Sequence, residues 1–465
     1  MTLQLYNSLS KQVQEVSPIE PGVVKLYTCG PTVYSYATIA NFRTYMLSDF
    51  LVRTLKFGGF NVKHIINLTD VGHLSGDNEG DADLGEDKLE ASAKKEGKSV
   101  KEIVSFYTQQ FMTDYEKLNL TKPEKFTPAT QYIKEQIDLV RRLKEKGFTY
   151  TIDDGVYFDT SKFKDYGHLS GNTEETIKEG ARIEPNPQKR HPQDFALWKL
   201  SPAYSTRWQE WESPWGKGFP GWHLECTAMI FKELGEQIDI HIGGEDLKMI
   251  HHQNEIAQAE AVTGKKFVQY WVHGAFLQVD GGRMGKSLGN AYTLSDLESK
   301  RYLPMALRYF YMTGHYRKPL NFTWEALTSA QNSLKKLYEV VSSYNMSKDA
   351  KGLSSDEFMQ KFDRAINDDL NMPKAVSVAW DVVKSELDED IKVATLLKFD
   401  EVLGLDFDGL IGFEVPKEID DLARTRWEYK RVGIWDKADF IRRQIDELGF
   451  LVEDSGDSYK VKKKF

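Results

Sequence analysis

Cysteine is almost missing from this chain: 465 residues carry two, Cys29 and Cys226, far apart in sequence. So few thiols argue against a disulfide framework and for a reducing, cytosolic setting. No apolar run is long enough to span a bilayer. The opening residues, Met1-Thr2-Leu3-Gln4-Leu5-Tyr6-Asn7-Ser8, have neither the basic start nor the apolar stretch of a signal peptide. The expectation is a cytoplasmic protein with no membrane partner. Positive charge is short as well, with a net charge of −9. That gives no hint of nucleic-acid binding, but a local basic patch suffices for it, so such binding stays open. Internal repeats and low-complexity tracts are absent.

What is present is an ordinary globular composition, 40% apolar and 28% charged, in a chain long enough for about two to four domains. Residues 23–28 read as a short buried strand, about 41–55 as a helix and 61–67 as a second strand, the start of a βαβ unit with a parallel sheet. The acidic, Gly-rich stretch 76–90 reads as an exposed loop. Helical patterns follow at about 99–118 and 130–147, then a hairpin at 149–159 turning on Asp153-Asp154-Gly155. The Trp-, Pro- and Gly-dense stretch 201–222 is expected to be irregular. A second α/β block has a strand at 238–241 broken by Gly243-Gly244, a helix at about 251–263 and a strand within 267–279. Beyond Leu297 the chain is mostly helical, at 304–313, 325–344, 355–370 and 373–386, with a charged helical pair over 419–449. A basic tail, Lys460 and Lys462 to Lys464, closes it. The layout is an α/β fold interrupted by an insertion, then a helical C-terminal region. Ligands of such sheets bind beyond the carboxyl ends of the strands.

Three segments at such ends carry chemistry. Cys29 follows the first strand and Cys226 lies in Pro220-Gly221-Trp222-His223-Leu224-Glu225-Cys226. On a helix, His251 and Glu255 are one turn apart and share a face. Two thiolates, an imidazole and a carboxylate would complete a four-coordinate zinc site. The alternatives are a cysteine acting as a small buried hydrophobe and a solvated helix face. Thr38-Ile39-Ala40-Asn41 joins the first strand to the first helix, where a helix N-terminus faces phosphate or merely carries an N-cap. Gly281-Gly282-Arg283-Met284-Gly285-Lys286-Ser287-Leu288-Gly289-Asn290 suits a closing phosphate clamp or a basic surface loop.

Together and in order, these segments resemble the cysteinyl-tRNA synthetase family of class I aminoacyl-tRNA synthetases, over essentially the whole chain. The likeness is carried by Cys29–Tyr34 (C-G-P-T-V-Y), Asn67-Leu68-Thr69-Asp70 and Asp194–Lys199 (D-F-A-L-W-K). It continues through Pro220–Cys226, His251–Gln258 with Gln253 in the third place, Lys286–Asn290 (K-S-L-G-N) and Asp368–Pro373. It closes on Ala438–Arg442 and Gly449–Asp454. The resemblance implies a Rossmann-type parallel-sheet catalytic domain with an insertion, an α-helical bundle and a small anticodon-facing domain. Its parts would be residues 1–120 and 221–296 as catalytic halves, 121–220 as the connective insertion and 297–330 as a stem-contact region. The bundle would span 331–405 and the anticodon-binding region 406–465. The implied activity is ATP-dependent loading of L-cysteine onto tRNA(Cys) by a monomer.

The resemblance also implies site residues. Cys29, Cys226, His251 and Glu255 would hold one Zn²⁺, which would select a thiol over a hydroxyl because thiolate is the better zinc ligand. Thr69, Trp222 and His223 would line the amino-acid pocket. Ile39, Ala40, Gly244, Asp246, Lys286 and Ser287 would bind ATP with its Mg²⁺, Trp271, His273 and Gly274 would lead into the adenine stretch, and Lys286, Thr38 and Asn41 would serve catalysis. Two segments depart from the family. Thr38 and Ala40 stand where a histidine and a glycine are usual, and Arg283 and Gly285 replace a lysine and a serine. An active enzyme with altered ATP affinity is expected. Trp427, Trp435 and the lysines suit a single-stranded RNA loop, or equally core packing and solubility. The rival readings are a cysteine ligase of the mycothiol type, which lacks the C-terminal region, and a non-catalytic derivative. Neither the acidic loop nor Gln253 is assigned any role beyond exposure.

Overall fold

The computed structural model describes residues 2–74, 86–171, 186–202, 204, 207–285, 288–344, 354–411, 415–456 and 458–463. They form two compact units. The first holds residues 1–304, 314–323 and 365–372, the second the remainder.

In the first unit five parallel strands run in the order Val268–Gly274, Ile238–Gly244, Val23–Thr28, Asn61–Leu68, Lys125–Pro128. Strand alternation sorts the two faces. Val24, Leu26, Ile240, Ile242, Tyr270 and Val272 pack with Leu47, Leu51 and Leu55 of the helix Ile39–Phe57. Tyr27, Cys29, Ile65 and Trp271 face the other way, onto Cys226, Met229 and Ile230 of the helix Trp222–Glu233 and onto Ile256 and Ala259 of the helix His251–Thr263. The strand order reverses between Val23–Thr28 and Ile238–Gly244, and a crevice at such a switch point is where open α/β sheets bind ligands.

Several expectations are corrected. Gly243 and Gly244 do not break their strand, because both pair in register with His273 and Gly274. The acidic stretch ends in structure: Asp87 caps a helix over Lys88–Glu96, its carboxylate accepting from the Leu89 and Glu90 N–H groups. Residues 76–85 of that stretch lie outside the described residues. The hairpin turns on Asp153-Asp154 alone, since Gly155 already pairs with Ile152. The stretch 201–222 includes the strand Gly218–Pro220, which completes an antiparallel four-stranded sheet with Thr149–Ile152, Gly155–Phe158 and Phe195–Leu200. Buried Asp194 anchors this insertion by accepting from the Tyr150 hydroxyl at 2.7 Å, the Thr160 N–H and hydroxyl at 2.9 and 2.7 Å, and the His191 N–H at 3.0 Å.

The Asp368–Pro373 motif has a structural explanation within the first unit. Asp369 and Leu370 both adopt positive φ, 52° and 54°. The Asp369 carboxylate accepts from the Tyr6 N–H at 2.9 Å and the Tyr316 hydroxyl at 2.5 Å, and pairs with Arg317 at 2.6 Å.

The second unit is helical, with Pro304–Met312, Trp324–Ser343, Asp356–Asn367, Met372–Lys384 and Glu389–Leu403. The last of these was not expected. Its Phe399 stacks on Phe362 at 4.0 Å, and fully buried Arg308 donates to the Leu403 carbonyl at 2.7 Å. The charged pair is Lys417–Arg431 and Trp435–Glu447. What read as a tail is a strand, because Ser458–Lys463 pairs with Phe450–Ser455 and sets Lys460 opposite Glu453. Cross-strand charge pairing of this kind favours a hairpin over a solvated tail. Among the described residues no helix is long and apolar enough to cross a membrane.

Candidate metal and substrate site

Cys29 directly follows the strand Val23–Thr28, its N–H bonded to the Ile242 carbonyl at 3.0 Å. The chain then turns so tightly that a Cβ on Gly30 would lie 1.6 Å from the Asn67 carbonyl oxygen. Only glycine fits there. The Gly30 N–H donates to Asn67 Oδ1 at 2.7 Å, and Asn67 Nδ2 donates to Thr69 Oγ1 at 3.0 Å. Thr69 is thereby held beside the Cys29 turn. Cys226 sits in the second turn of its helix, whose start is fixed by a similar approach: a Cβ on Gly221 would lie 2.0 Å from the Ala196 carbonyl oxygen.

The helix His251–Thr263 is unusual in being polar and buried along its length. Buried polar groups generally need partners, and most here have one, Gln253 Nε2 and Gln258 Oε1 excepted. Gln253 Oε1 accepts from the Leu169 N–H at 3.0 Å, Asn254 Oδ1 accepts from the Tyr166 hydroxyl at 2.6 Å, and Gln258 Nε2 donates to the His223 carbonyl at 2.7 Å. Gln253 is therefore not exposed, and the solvated-face alternative does not describe this helix. Ligand atoms of Cys29, Cys226, His251 and Glu255 lie within 4.8 Å of one another. His251 Nε2 is 3.0 Å from Glu255 Oε1.

A second set, Cys29, His241, His252 and Glu255, meets the same distance limit. His241 Nε2 is 2.9 Å from Glu255 Oε2, and His252 Nε2 is 3.3 Å from Cys29 Sγ. His252 Nδ1 continues to His273 Nε2 at 2.8 Å, and His273 Nδ1 to Ser8 Oγ at 2.8 Å. His73 meets Glu225 at 2.8 Å. The sequence reading missed His241, His252, His73 and Glu225 as neighbours of the cluster. The available signal was the gathering of His241, His251, His252 and His273 around two adjacent strands.

Electrostatics prepare the cluster for a cation. The Cys29 thiol is pushed well up, first by burial and then by Cys226. Cys226 is drawn down, chiefly by the hydrogen bond from Cys29, against burial and the Glu255 charge. Burial opposes ionisation of Glu255, but His241 and His251 hold its pKa at about 2. Burial likewise opposes charge on His251, yet Glu255 and Cys226 raise it to about 10. A Cys226 thiolate and a Glu255 carboxylate against one imidazolium leave a net negative charge in a dry pocket. Soft sulfur with imidazole and carboxylate is a donor set that fits zinc.

Trp222 and His223 border this cluster. The Trp222 ring centroid is 4.5 Å from that of His251, and His223 Nδ1 is 3.1 Å from His251 Nδ1. Gly244 caps the short helix Glu245–Lys248, where a Cβ would lie 2.3 Å from Asp246 Oδ1. Thr38 and Asn41 form a capping box at the start of the helix Ile39–Phe57: the Thr38 hydroxyl and N–H donate to Asn41 Oδ1 at 2.8 and 2.9 Å. Ala40 is half-buried, and the Ile39 side chain is fully buried with its N–H on the Tyr292 carbonyl at 2.9 Å. Thr38 bridges to Thr293, so the segment after the Gly-rich loop lies against this helix start. Asn290 pins the near side of that loop, accepting from the Gly285 N–H at 2.8 Å and donating to the Arg283 carbonyl at 3.1 Å. Lys286 and Ser287 lie outside the described residues.

Residues 15–332 match the family model of the class I (C) tRNA synthetase catalytic domain. The chain is 42% identical over 467 residues to "Cysteine--tRNA ligase 1" of Burkholderia lata, covering 99% of this chain and 97% of that one. It is 40% identical over 500 residues to "Cysteine--tRNA ligase" of Treponema denticola, with both chains fully covered. Among solved structures it is similar in fold to Mycobacterium tuberculosis methionyl-tRNA synthetase in complex with methionyl-adenylate. That match has a TM-score of 0.55 and 15% identity, and covers 82% of this chain and 90% of that one.

Proposed function

The chain belongs to the class I cysteinyl-tRNA synthetase family, and we infer from this that it is a cysteine--tRNA ligase: it activates L-cysteine with ATP and transfers it to tRNA(Cys). The observation that carries the reading is the convergence of Cys29, Cys226, His251 and Glu255 at the switch point of the sheet. These four would hold one Zn²⁺. When bound, the ion supplies a soft Lewis acid that lowers the thiol pKa and prefers the substrate sulfur to a serine hydroxyl.

The protein's own residues do the rest. Thr69, Trp222 and His223 shape the pocket around the substrate, and a pocket without a metal would separate cysteine from serine only weakly. The amino-acid carboxylate is itself the nucleophile toward the α-phosphorus, so the site needs positioning and charge stabilisation rather than a general base. Asn41 Oδ1 is engaged by Thr38, which leaves its amide nitrogen to donate to phosphate at the helix N-terminus. Gly244 and Asp246 would receive the ribose, the backbone at Ile39 and Ala40 would border the nucleotide, and Lys286 and Ser287 would bind the phosphates, whose charge Mg²⁺ would offset when bound. The catalytic halves are residues 1–120 and 221–296, and the insertion is 121–220. The stem-contact region is 297–330, the bundle 331–405 and the anticodon-facing region 406–465. The enzyme acts as a monomer in the cytoplasm.

Metal analysis joined to pyrophosphate exchange tests this. One zinc per chain and exchange that depends on cysteine but not serine are expected. Metal-bound protein that exchanges neither amino acid would overturn the reading.

A further inference from the structure

A cavity of about 490 Å³ opens beside Thr38, lined by Tyr34, Tyr36, Lys95, Tyr107 and Thr293 among others. It contains no residue of the metal cluster and none of those assigned to ATP, and shares only Thr38 with those assigned to catalysis. Its wall is aromatic. Tyr36 is 43% exposed and sits edge-on to Tyr107 at 5.1 Å and Phe106 at 6.0 Å, so its ring is braced yet open to solvent. Its rim is basic in an otherwise acidic chain. Lys94, Lys95 and Lys98 are exposed at and just beyond the end of the helix Lys88–Glu96. The nearby acids are engaged: Glu90 accepts from the Trp208 N–H at 2.8 Å, and Glu96 takes the Tyr107 hydroxyl and Lys98. The Ser92 hydroxyl donates to the Tyr34 carbonyl at 2.8 Å, tying that helix to the segment that leads into Thr38.

An exposed aromatic face beside clustered cations is the pattern that holds single-stranded nucleic acid, the ring stacking a base and the cations following the backbone. We propose that this cavity seats the 3′-terminal single strand of the tRNA acceptor end, with a base on Tyr36 and a phosphate at Lys95. The proposal rests on the chain being a tRNA ligase, since a 3′ end must reach the activated amino acid. A free nucleotide would use the same stacking chemistry, and the test separates the two sources.

The experiment compares wild type with Tyr36→Ala, Tyr36→Phe and Lys95→Gln in three readouts: cysteine-dependent pyrophosphate exchange, charging kinetics, and direct binding of intact tRNA against tRNA lacking its 3′ single strand. Tyr36→Ala should weaken binding of intact tRNA about tenfold and raise its KM alike, by the loss of one stacked base. Exchange should stay within about twofold, Tyr36→Phe should restore binding, and the variant and wild type should bind the shortened tRNA equally. Lys95→Gln should lower the slope of log K against log salt by about 0.7. If exchange falls in step with charging, the cavity serves ATP and the proposal is overturned. Unchanged binding of intact tRNA overturns it too. Wild-type protein without exchange defeats the functional reading instead, while the binding comparison still judges the cavity.

Discussion

Gly243 and His252 touch across the switch point of the sheet: a Cβ on Gly243 would fall 2.4 Å from His252 Cε1. That ring also reaches Cys29 and His273, so it cannot retreat without releasing one of them. Gly243→Ala should therefore push His252 off Cys29 while leaving the strand intact. Loss of groups that orient metal ligands typically costs about 10–100-fold in metal affinity. Chelator competition on the folded variant checks this, and unchanged affinity would show that His252 does not support the site.

Metal binding should be steeply pH-dependent. A metal must displace the proton of His251, whose pKa stands at about 10, and that of Cys29, whose thiol is raised. Cys226 is drawn down and needs little displacement. Between pH 7 and 8 the affinity should rise about a hundredfold, tenfold per proton released. In the metal-free protein the signs differ. The Glu255 contribution to stability is present above about pH 4.3, its unfolded value, and is lost as pH falls toward about 2. The His251 contribution is full below about pH 6.5 and is lost as pH rises through about 10. Calorimetry in buffers of different ionisation heat counts the protons, and a count below one contradicts the assignment.

Gln253 marks where the sequence stops being legible. Its neighbours His251 and Glu255 announce themselves by one-turn spacing, but nothing local reveals that Gln253 is buried and caps the Leu169 N–H. That partner lies 84 residues away in the chain. Gln253→Leu keeps the bulk and strands the donor, which should cost about 1–3 kcal/mol. Thermal unfolding should show the loss, whereas Gln253→Glu, which retains an acceptor, should show less.

The same distinction explains the fold. Four of the five parallel strands were readable as short runs rich in Val, Ile, Leu and Tyr, whereas Lys125–Pro128, only four residues long and joined to the sheet by its pairing with Ile65–Leu68, was not. The helices were readable because Asn41–Leu55 and Glu325–Tyr344 repeat at helical spacing. Glycine misled at 243–244, where close packing of His252 on Gly243 and of Asp246 on Gly244, not a turn, demands it. Lysine misled at 460, which stands opposite Glu453 across a hairpin. In the site, residues contributed by their own motif were found, while His241 and His252 were missed. Their partners come from segments that only the sheet order brings together.

That C-terminal hairpin is fastened by Asp454, which the sequence marked only as a motif residue. Its carboxylate pairs with the buried Arg426 guanidinium and with Lys430. Arg426 foremost, then Lys430, holds the carboxyl well below the usual range against a small burial penalty. A depressed carboxylate contributes stability above about pH 4, its unfolded value, and loses it as pH falls further. Asp454→Asn should leave Arg426 buried without its counter-charge and cost the hairpin about 2 kcal/mol, less than a fully buried pair because Asp454 is partly exposed. Amide exchange over residues 415–463 should accelerate, while cysteine-dependent pyrophosphate exchange persists because the cluster lies in the other unit. Unaltered amide protection in that segment would show that Asp454 does not hold it.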